Sequence, residues 1–233
     1  MNSLVEKRKI SSDSFILYVN DGSRDMTWAI IESLHDKNPY VKGLNLAGNV
    51  GHQNALMAGL MTAKGYADVL VSIDADLQDD VSVIEEMVDR YKEGYDIVYG
   101  VRSSRDSDTF FKKNTALAFY KLMSWLGVKS VYNHADYRLM SRRAVEQLGN
   151  YKERNLFLRG IVPLIGYETT SVYYRRSERF AGESKYPLSK MFNFAIDGIT
   201  SFSVRPLRLI ATLGFLFLLC SLVAVVYTLY VFF

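Results

Sequence analysis

The C-terminal segment constrains this chain most, because residues 209–233 read LIATLGFLFLLCSLVAVVYTLYVFF without one charged residue. As a helix, this segment would extend about 37 Å, and the hydrocarbon core of a bilayer is about 30 Å thick. A buried core helix is the alternative, but core helices rarely run so far without a polar face. The sequence therefore predicts a transmembrane helix over residues 209–233.

The flanks of this segment predict its orientation. Arg205 and Arg208 directly precede it, and the positive-inside rule then puts residues 1–208 in the cytoplasm. The N-terminus, MNSLVEKRKISSDS, has no apolar core of the kind a cleaved secretory leader requires. Because Phe233 ends the chain with no polar flank, we also expect a truncated C-terminus.

Composition excludes several classes of protein. Of the 233 residues, 49% are hydrophobic and 23% are charged, which excludes intrinsic disorder. The single cysteine, Cys220, excludes an internal disulfide and a cysteine-based zinc site. A net charge of +3 is too small to predict binding to nucleic acid.

Residues 15–100 alternate apolar runs with helical patterns, which predicts an α/β fold with a parallel sheet. In such sheets the ligand lies at the carboxyl ends of the strands. The predicted strands are Phe15–Val19, Val41–Leu46, Ala67–Ile73 and Asp96–Val101, and the predicted helices are Asp25–Leu34, with Ile30 and Leu34 on one face, Gln53–Ala63 and Val81–Lys92. Later in the chain we expect helices over 110–127, over Arg142–Leu148 with Ser141 as its cap, and at the membrane interface over 187–204, and a strand over 168–176.

The segment SIDADLQDD, residues 72–80, places acids just after an apolar strand. Continuing the strand's alternation would point the carboxylates of Asp74 and Asp76 to one side. Such a pair is costly without a cation, and Mg²⁺ or Mn²⁺ prefers oxygen ligands. The alternative is that Asp74 and Asp76 are merely solvated, while Asp79 and Asp80 cap the next helix.

A second turn, VNDGS at residues 19–23, also follows a strand. Gly22 permits a tight turn, and Asp21 could accept hydrogen bonds from a ribose or base, although these residues are also ordinary turn formers. Of the three histidines, we expect His52 to pack or hydrogen-bond rather than bind metal. The sequence has no G-x-G-x-x-G, P-loop or H-E-x-x-H motif.

Five blocks carry a family resemblance: VNDGSRDMT, LAGNVGHQNALMAGLMTAKG, DADLQDD, YRLMSRRAV and RSERFAGESKYPLSKM. They resemble the polyprenyl-phosphate glycosyltransferases, inverting family-2 enzymes that include bactoprenol glucosyltransferases and dolichyl-phosphate mannose synthases. The resemblance implies a GT-A catalytic domain with a Rossmann-like, mostly parallel sheet over 1–186. Interfacial helices over 187–208 and the transmembrane helix would follow. A fragment of a processive polysaccharide synthase is disfavoured, because Q-x-x-R-W is absent.

The resemblance also implies roles for individual residues, each with a charged or polar group suited to a phosphate, a metal or a nucleotide. The implied catalytic residues are Asp76 and Asp136; the nucleotide ligands Asp21, Gly22 and Asp74; the ligands of Mg²⁺ or Mn²⁺ Asp74, Asp76 and Gln78; and the phosphate or acceptor ligands Arg102, Arg138, Arg175, Arg179, Ser184 and Lys185. For the basic stretch around Arg176, a patch that binds lipid headgroups is the alternative.

The implied reaction moves a sugar from a nucleotide diphosphate to a polyprenyl phosphate at the membrane. Glucose from UDP-glucose is favoured over mannose, with undecaprenyl phosphate as acceptor. The resemblance leaves open whether the protein forms a homo-oligomer. It implies that the full-length members of the family are multi-pass membrane proteins. The family's opening P-x-Y-N-E strand has no counterpart in residues 1–14. We therefore expect the chain as written to be weakly active or inactive, and a membrane-bound remnant or partner subunit without turnover is the rival reading.

Overall fold

The computed structural model describes residues 1–103, 134–152, 157–175 and 205–233. The chain divides into two compact units, one of Met1–Asp108 with Val131–Ser184 and one of Thr109–Ser130 with Lys185–Phe233. The expected helices over 110–127 and 187–204 fall outside the described residues. The domain boundaries predicted from the sequence stay a prediction.

The described helices and strands of the first unit alternate along the chain, as the apolar pattern predicts. In chain order they are α1 Asn2–Glu6, β1 Ile16–Asn20, α2 Thr27–Lys37, β2 Val41–Asn45, α3 His52–Ala63, β3 Val69–Ser72, α4 Ile84–Lys92, β4 Ile97–Arg102, β5 His134–Ser141, α5 Arg142–Leu148, α6 Leu158–Ile161 and β6 Thr169–Tyr174. Short 3₁₀ turns, Val81–Val83 and Val162–Leu164, precede α4 and follow α6.

The described strands form two sheets. Parallel strands β1 and β2 form one, and the other has the order β3-β5-β4-β6. In the larger sheet β5 is antiparallel to both β3 and β4, whereas β6 is parallel to β4. Half of the described pairings are thus antiparallel, so the α/β class holds but the sheet is more mixed than we expected.

Helix α3 packs against both sheets, because it contacts β1 and β3. Its small residues permit this: a Cβ on Gly59 would lie 2.8 Å from Val19 Cγ2. Helix α2 covers β2 with Ile31, which is buried, whereas Ile30 and Leu34 are 56% and 40% exposed. The face that carries Ile30 and Leu34 therefore does not pack against the sheet, contrary to the simple apolar pattern.

Helix α4 covers the larger sheet. Apolar residues of α4, β4, β5 and β6 form the core there, with the rings of Tyr137 and Tyr174 edge to face at 5.3 Å. The N-terminal segment is tied to α4 by Lys7, whose Nζ lies 2.6 Å from Glu85, and by Lys9, which pairs with Asp89. Residues 2–6 form a helix, and among the described strands β1, β2, β3 and β6 each keep one unpaired edge.

The described part of the second unit is the helix α7, Arg205–Phe232. Within it, Ile210–Phe232 has 23 residues, a mean hydropathy of 2.5 and no buried share, so it is long and apolar enough to cross a membrane. This agrees with the segment predicted from its missing charges.

Candidate active site

The turn after β1 is bonded to the start of α3. Asp21 Oδ1 accepts the backbone N–H of Val50 at 2.7 Å, and Asp21 Oδ2 accepts that of Gly51 at 3.0 Å. Asn49 Nδ2 donates to the carbonyl of Asp21 at 3.0 Å. Gly22, at φ +66°, lies so close that a Cβ there would be 2.5 Å from the nitrogen of Asn49. This close approach accounts for the glycine.

The first two residues of α3 reach Asp136, which β5 carries. His52 Nε2 donates to Asp136 Oδ2 at 3.1 Å, and Gln53 Nε2 donates to the same oxygen at 3.3 Å. From the other side, Arg138 bonds Oδ1 at 2.6 Å and Arg159 bonds both oxygens at 3.3 and 3.4 Å. We call these five residues the Asp136 cluster.

The Asp136 cluster keeps its carboxylate charged. Burial alone would raise the pKa of Asp136, but the His52 hydrogen bond and the charges of Arg159 and Arg138 hold that pKa far below its ordinary value. The same hydrogen bond raises the pKa of His52. Near neutral pH, Asp136 is therefore an anion that orients its neighbours and a poor proton acceptor.

The acidic turn, residues 74–80, begins beside this cluster. Its first carboxylate, Asp74 Oδ1, lies 3.9 Å from His52 Nε2, so one imidazole contacts both groups of acids. Burial raises the pKa of Asp74, and the nearby charges of Asp136, Asp79 and Asp76 raise it further against the opposing effect of His52. Negative charge is thus concentrated at the start of the turn.

The backbone of the acidic turn corrects one expectation. Strand β3 ends at Ser72, so Asp74 and Asp76 lie in a turn, and strand alternation does not set their directions. Asp76 Oδ1 instead accepts the backbone N–H of Gln78 at 3.1 Å. Leu77, between them, has φ +57°, a left-handed conformation that is rare outside glycine.

The end of the acidic turn enters the interior. Asp79, with 1% of its side chain exposed, accepts a hydrogen bond from the hydroxyl of Tyr174, and Arg102 lies 3.5 Å from the same oxygen. Its Oδ2 is buried without a hydrogen-bond partner. Asp80 caps the following 3₁₀ turn by accepting the N–H of Ser82 at 2.9 Å. The capping alternative therefore holds for Asp80, and not for Asp79.

The donor set of the acidic turn suits a hard divalent cation. Its oxygens are carboxylates, the neighbouring acids raise the pKa of Asp74, and Asp79 Oδ2 is a buried acceptor without a partner. Within the described ranges, no group of three or more His, Cys, Asp or Glu side chains is spaced to hold a metal ion.

The residues predicted for phosphate divide into three groups. Arg102 lies beside Asp79, and Arg175 is exposed just after β6. Arg138 is 1% exposed and bonded to Asp136 and the Leu158 carbonyl, so we correct its role from phosphate ligand to support for Asp136. Outside the described residues lie Arg179, Ser184 and Lys185.

Sequence reasoning missed most partners of Asp136. We expected His52 to pack or hydrogen-bond, and it does hydrogen-bond, but its partners are the acids of the site. Gln53 and Arg159 were not singled out. The block GHQNA within the family resemblance was the one available signal for His52 and Gln53.

Comparisons with known proteins identify the family of the chain. The model of the family "Glycosyl transferase family 2" matches residues 2–149. An uncharacterized glycosyltransferase, YkoT of Bacillus subtilis (strain 168), is 57% identical over 224 residues, covering 96% of this chain and 66% of the relative. A bactoprenol glucosyl transferase of Shigella phage SfV is 42% identical over 200 residues, covering 85% and 64%. The chain therefore spans just under two thirds of these relatives.

A solved structure supports the fold. Glucosyl-3-phosphoglycerate synthase from Mycobacterium tuberculosis is 17% identical, with a TM-score of 0.53 over 82% of this chain and 69% of that one. That likeness shows the fold alone, whereas the family model and the relatives show a glycosyltransferase domain. Since the family model matches more than half of the chain, this protein belongs to glycosyl transferase family 2.

Proposed function

We propose that the protein transfers a sugar, with glucose favoured, from a nucleotide diphosphate to a polyprenyl phosphate. One observation carries this proposal: His52 contacts both Asp74 of the acidic turn and Asp136. A donor diphosphate bound at Asp74 would then lie beside Asp136, whose carboxylate is charged near neutral pH. The bactoprenol glucosyl transferases among the relatives support the sugar and the lipid class, with UDP-glucose and undecaprenyl phosphate as first choices.

In this proposal Asp74 and Asp76 hold Mg²⁺ or Mn²⁺, and Gln78 stands next to them in the turn. When bound, the metal neutralises charge on the leaving diphosphate. Asp21 and Gly22 shape the nucleotide side of the pocket. Without the metal, the carboxylates of the acidic turn would repel the donor, so binding of the nucleotide should depend on the cation.

The acceptor needs little help from a base. A phosphate monoester has a second pKa of about 6 and is largely dianionic near neutral pH. Asp136, itself held as an anion, therefore orients His52, Arg138 and Arg159 rather than removing a proton. Arg102, Arg175, Arg179, Ser184 and Lys185 are the proposed contacts for phosphate. Attack opposite the leaving diphosphate would invert the anomeric centre.

The test uses membranes that contain a protein that includes this chain and is active in sugar transfer. Radiolabelled UDP-glucose, undecaprenyl phosphate and Mg²⁺ or Mn²⁺ should give a labelled lipid, and excess chelator should abolish it. GDP-mannose is the matched donor control. Full activity in chelator would end the metal assignment. Metal-dependent UDP binding without transfer would instead favour the reading of a partner subunit without turnover.

We further propose that α7 anchors the protein in the cell membrane with residues 1–208 on the cytoplasmic face. Burial of an apolar helix of this length makes release from the bilayer very unfavourable. Carbonate extraction should leave the protein in the pellet. Protease added to right-side-out vesicles should spare the first unit, whereas digestion there would reverse the orientation.

A further inference from the structure

We propose that Arg159 binds the phosphate group of the lipid acceptor while Asp136 holds the Arg159 guanidinium in place. This inference rests on the proposed function and deepens it, because neither the sequence motifs nor the family resemblance assigns Arg159 a role. It supplies a positive charge for the second anionic substrate, which the carboxylates of the acidic turn would repel.

Asp136 has two guanidinium partners, and the protein encloses only one of them. Arg138 donates to Asp136 Oδ1 at 2.6 Å and to the Leu158 carbonyl at 3.4 Å, and 1% of its side chain is exposed. Arg159 donates to both oxygens of Asp136 at 3.4 and 3.3 Å, and 36% of its side chain is exposed. Charge-assisted hydrogen bonds are ordinarily about 2.7–2.9 Å long. Arg138 is therefore the buried counterion, whereas Arg159 is a second, loosely bound cation with access to solvent.

The guanidinium of Arg159 has the geometry to bond two anions. Its bonds to Asp136 come from Nε and Nη2, and a guanidinium carries more N–H groups than these two. The N–H groups of Nη1 and Nη2 at the end of a guanidinium form a planar fork that matches two phosphate oxygens. Arg159 can therefore keep a bond to Asp136 and bind a phosphate at the same time.

Contacts between side chains connect Arg159 to the acidic turn. Asp136 bonds Arg159 and also His52, whose Nε2 lies 3.9 Å from Asp74 Oδ1. In the proposed function a cation at Asp74 neutralises the leaving diphosphate. An acceptor that attacks opposite this diphosphate cannot share its cation, so the acceptor phosphate needs a positive group of its own. Arg159 provides that group within the same cluster of contacts.

Two other arginines of the described chain are placed differently. Arg102 lies 3.5 Å from Asp79, so its charge accompanies the acidic turn and the donor side of the site. Arg142 pairs with Asp68 at 3.1 Å. Asp68 precedes β3, whereas the acidic turn follows β3, so Arg142 lies at the opposite end of that strand. Arg142 is therefore a suitable control for Arg159.

Arg159→Ala tests the proposal, with Arg142→Ala as the matched control. The control also removes a half-exposed arginine, 44% exposed, from an aspartate. In a protein that includes this chain and is active in sugar transfer, Arg159→Ala should raise the KM for undecaprenyl phosphate about 10- to 100-fold, the range for lost hydrogen bonds to a charged group. The KM for UDP-glucose and the Kd for UDP with Mn²⁺ should stay within about twofold of wild type. The control should change none of these values.

Two further measurements separate binding of phosphate from support of Asp136. Calorimetry with geranyl phosphate, a short soluble polyprenyl phosphate, should show weaker binding to Arg159→Ala than to wild type or Arg142→Ala. Tm should fall less in Arg159→Ala than in Asp136→Asn, because the buried counterion Arg138 still faces its carboxylate. If Arg159→Ala fails to fold, Arg159→Lys decides the outcome. It keeps the charge but loses the fork, and the KM for the lipid should rise about 3- to 10-fold.

A fall in kcat with an unchanged KM for the lipid would make Arg159 a support for Asp136 and overturn the inference. A rise in the KM for UDP-glucose alone would make Arg159 a ligand of the donor and overturn it as well. If wild type transfers no sugar to undecaprenyl phosphate, the proposed function fails instead. The binding of geranyl phosphate to wild type and Arg159→Ala then still decides whether Arg159 binds the phosphate.

Discussion

The Asp136 cluster and the acidic turn are two groups of carboxylates joined by one imidazole, and they are built in opposite ways. In the cluster, a single carboxylate accepts hydrogen bonds from His52, Gln53, Arg138 and Arg159. In the turn, four aspartates lie within seven residues, and burial raises the pKa of Asp74. The protein itself balances the charge of the cluster, whereas in the proposed function a cation balances the remaining charge of the turn.

The largest expected effect removes a carboxylate from the acidic turn. Asp76→Ala, in a transfer-competent protein, should reduce transfer by more than about 100-fold, since the diphosphate charge is left uncompensated. Asp80→Ala is the control, because Asp80 caps a 3₁₀ turn. Thermal unfolding should show that both variants fold. Near-normal transfer by Asp76→Ala would mean that the Asp76 carboxylate is not needed to hold the cation.

The comparison also predicts opposite effects on stability. Asp136→Asn leaves Arg138, which is 1% exposed, without a balancing charge and should lower the free energy of unfolding by about 3 kcal/mol. Asp74→Asn removes repulsion within the acidic turn and should leave Tm unchanged or raise it when no metal is added. Tm in detergent with chelator measures both. A fall in Tm for Asp74→Asn like that for Asp136→Asn would erase the contrast.

The dependence on pH sharpens the same contrast. The pKa of Asp136 is held below that of an aspartate in the unfolded chain, about 3.9. Its contribution to stability is therefore fully present above this value and is lost as the pH falls through the native pKa. The difference in Tm between wild type and Asp136→Asn should not fall from about pH 7 to pH 5, because protonation of His52, whose pKa Asp136 raises, strengthens their contact in the wild type. The difference should then shrink below about pH 4. A difference that already fades between pH 7 and 5 contradicts the charged, balanced cluster.

The smallest effect concerns the end of the acidic turn, where Tyr174 donates a hydrogen bond to Asp79. Burial raises the pKa of Tyr174 to about 12, so its hydroxyl stays protonated and donates to Asp79. Tyr174→Phe should lower the free energy of unfolding by about 1 kcal/mol. Tyr173→Phe, at a neighbouring side chain that is 70% exposed, should change nothing. Equal effects of the two substitutions would mean that the Tyr174–Asp79 bond is unimportant.

Much of the fold follows from local patterns in the sequence. The apolar runs before residues 20, 45 and 72 are strands, and Ser141 caps α5 by accepting the N–H of Ala144. Strand β5 did not emerge from the pattern, because its buried residues include Asp136 and Arg138, which interrupt an apolar run. These two charges are tolerated in a central strand because they pair with each other at 2.6 Å.

The sequence predicts the acidic turn of the site, but not the contacts around Asp136. The four aspartates of the acidic turn are close together in the chain, so the sequence alone identifies them as a group. Three of the four partners of Asp136 lie 84, 83 and 23 residues away, on α3 and α6, so only the packed structure brings them together. Strand alternation failed for Asp74 and Asp76 because β3 ends two residues earlier.

The strand order of the larger sheet has a consequence for how the protein is made. Strands β3 and β4 follow each other in the chain but are separated by β5, which is synthesised later, and β6 comes later still. The parallel pair β1–β2 and helices α2 and α3 are complete by residue 63, whereas β3 and β4 emerge from the ribosome before their neighbour exists. Such non-local pairing is slow and leaves apolar strands exposed in the interval. The arrival of β5 joins β3 to β4 and brings Asp136 to His52 and Gln53, so the site begins to assemble only once β5 has been synthesised.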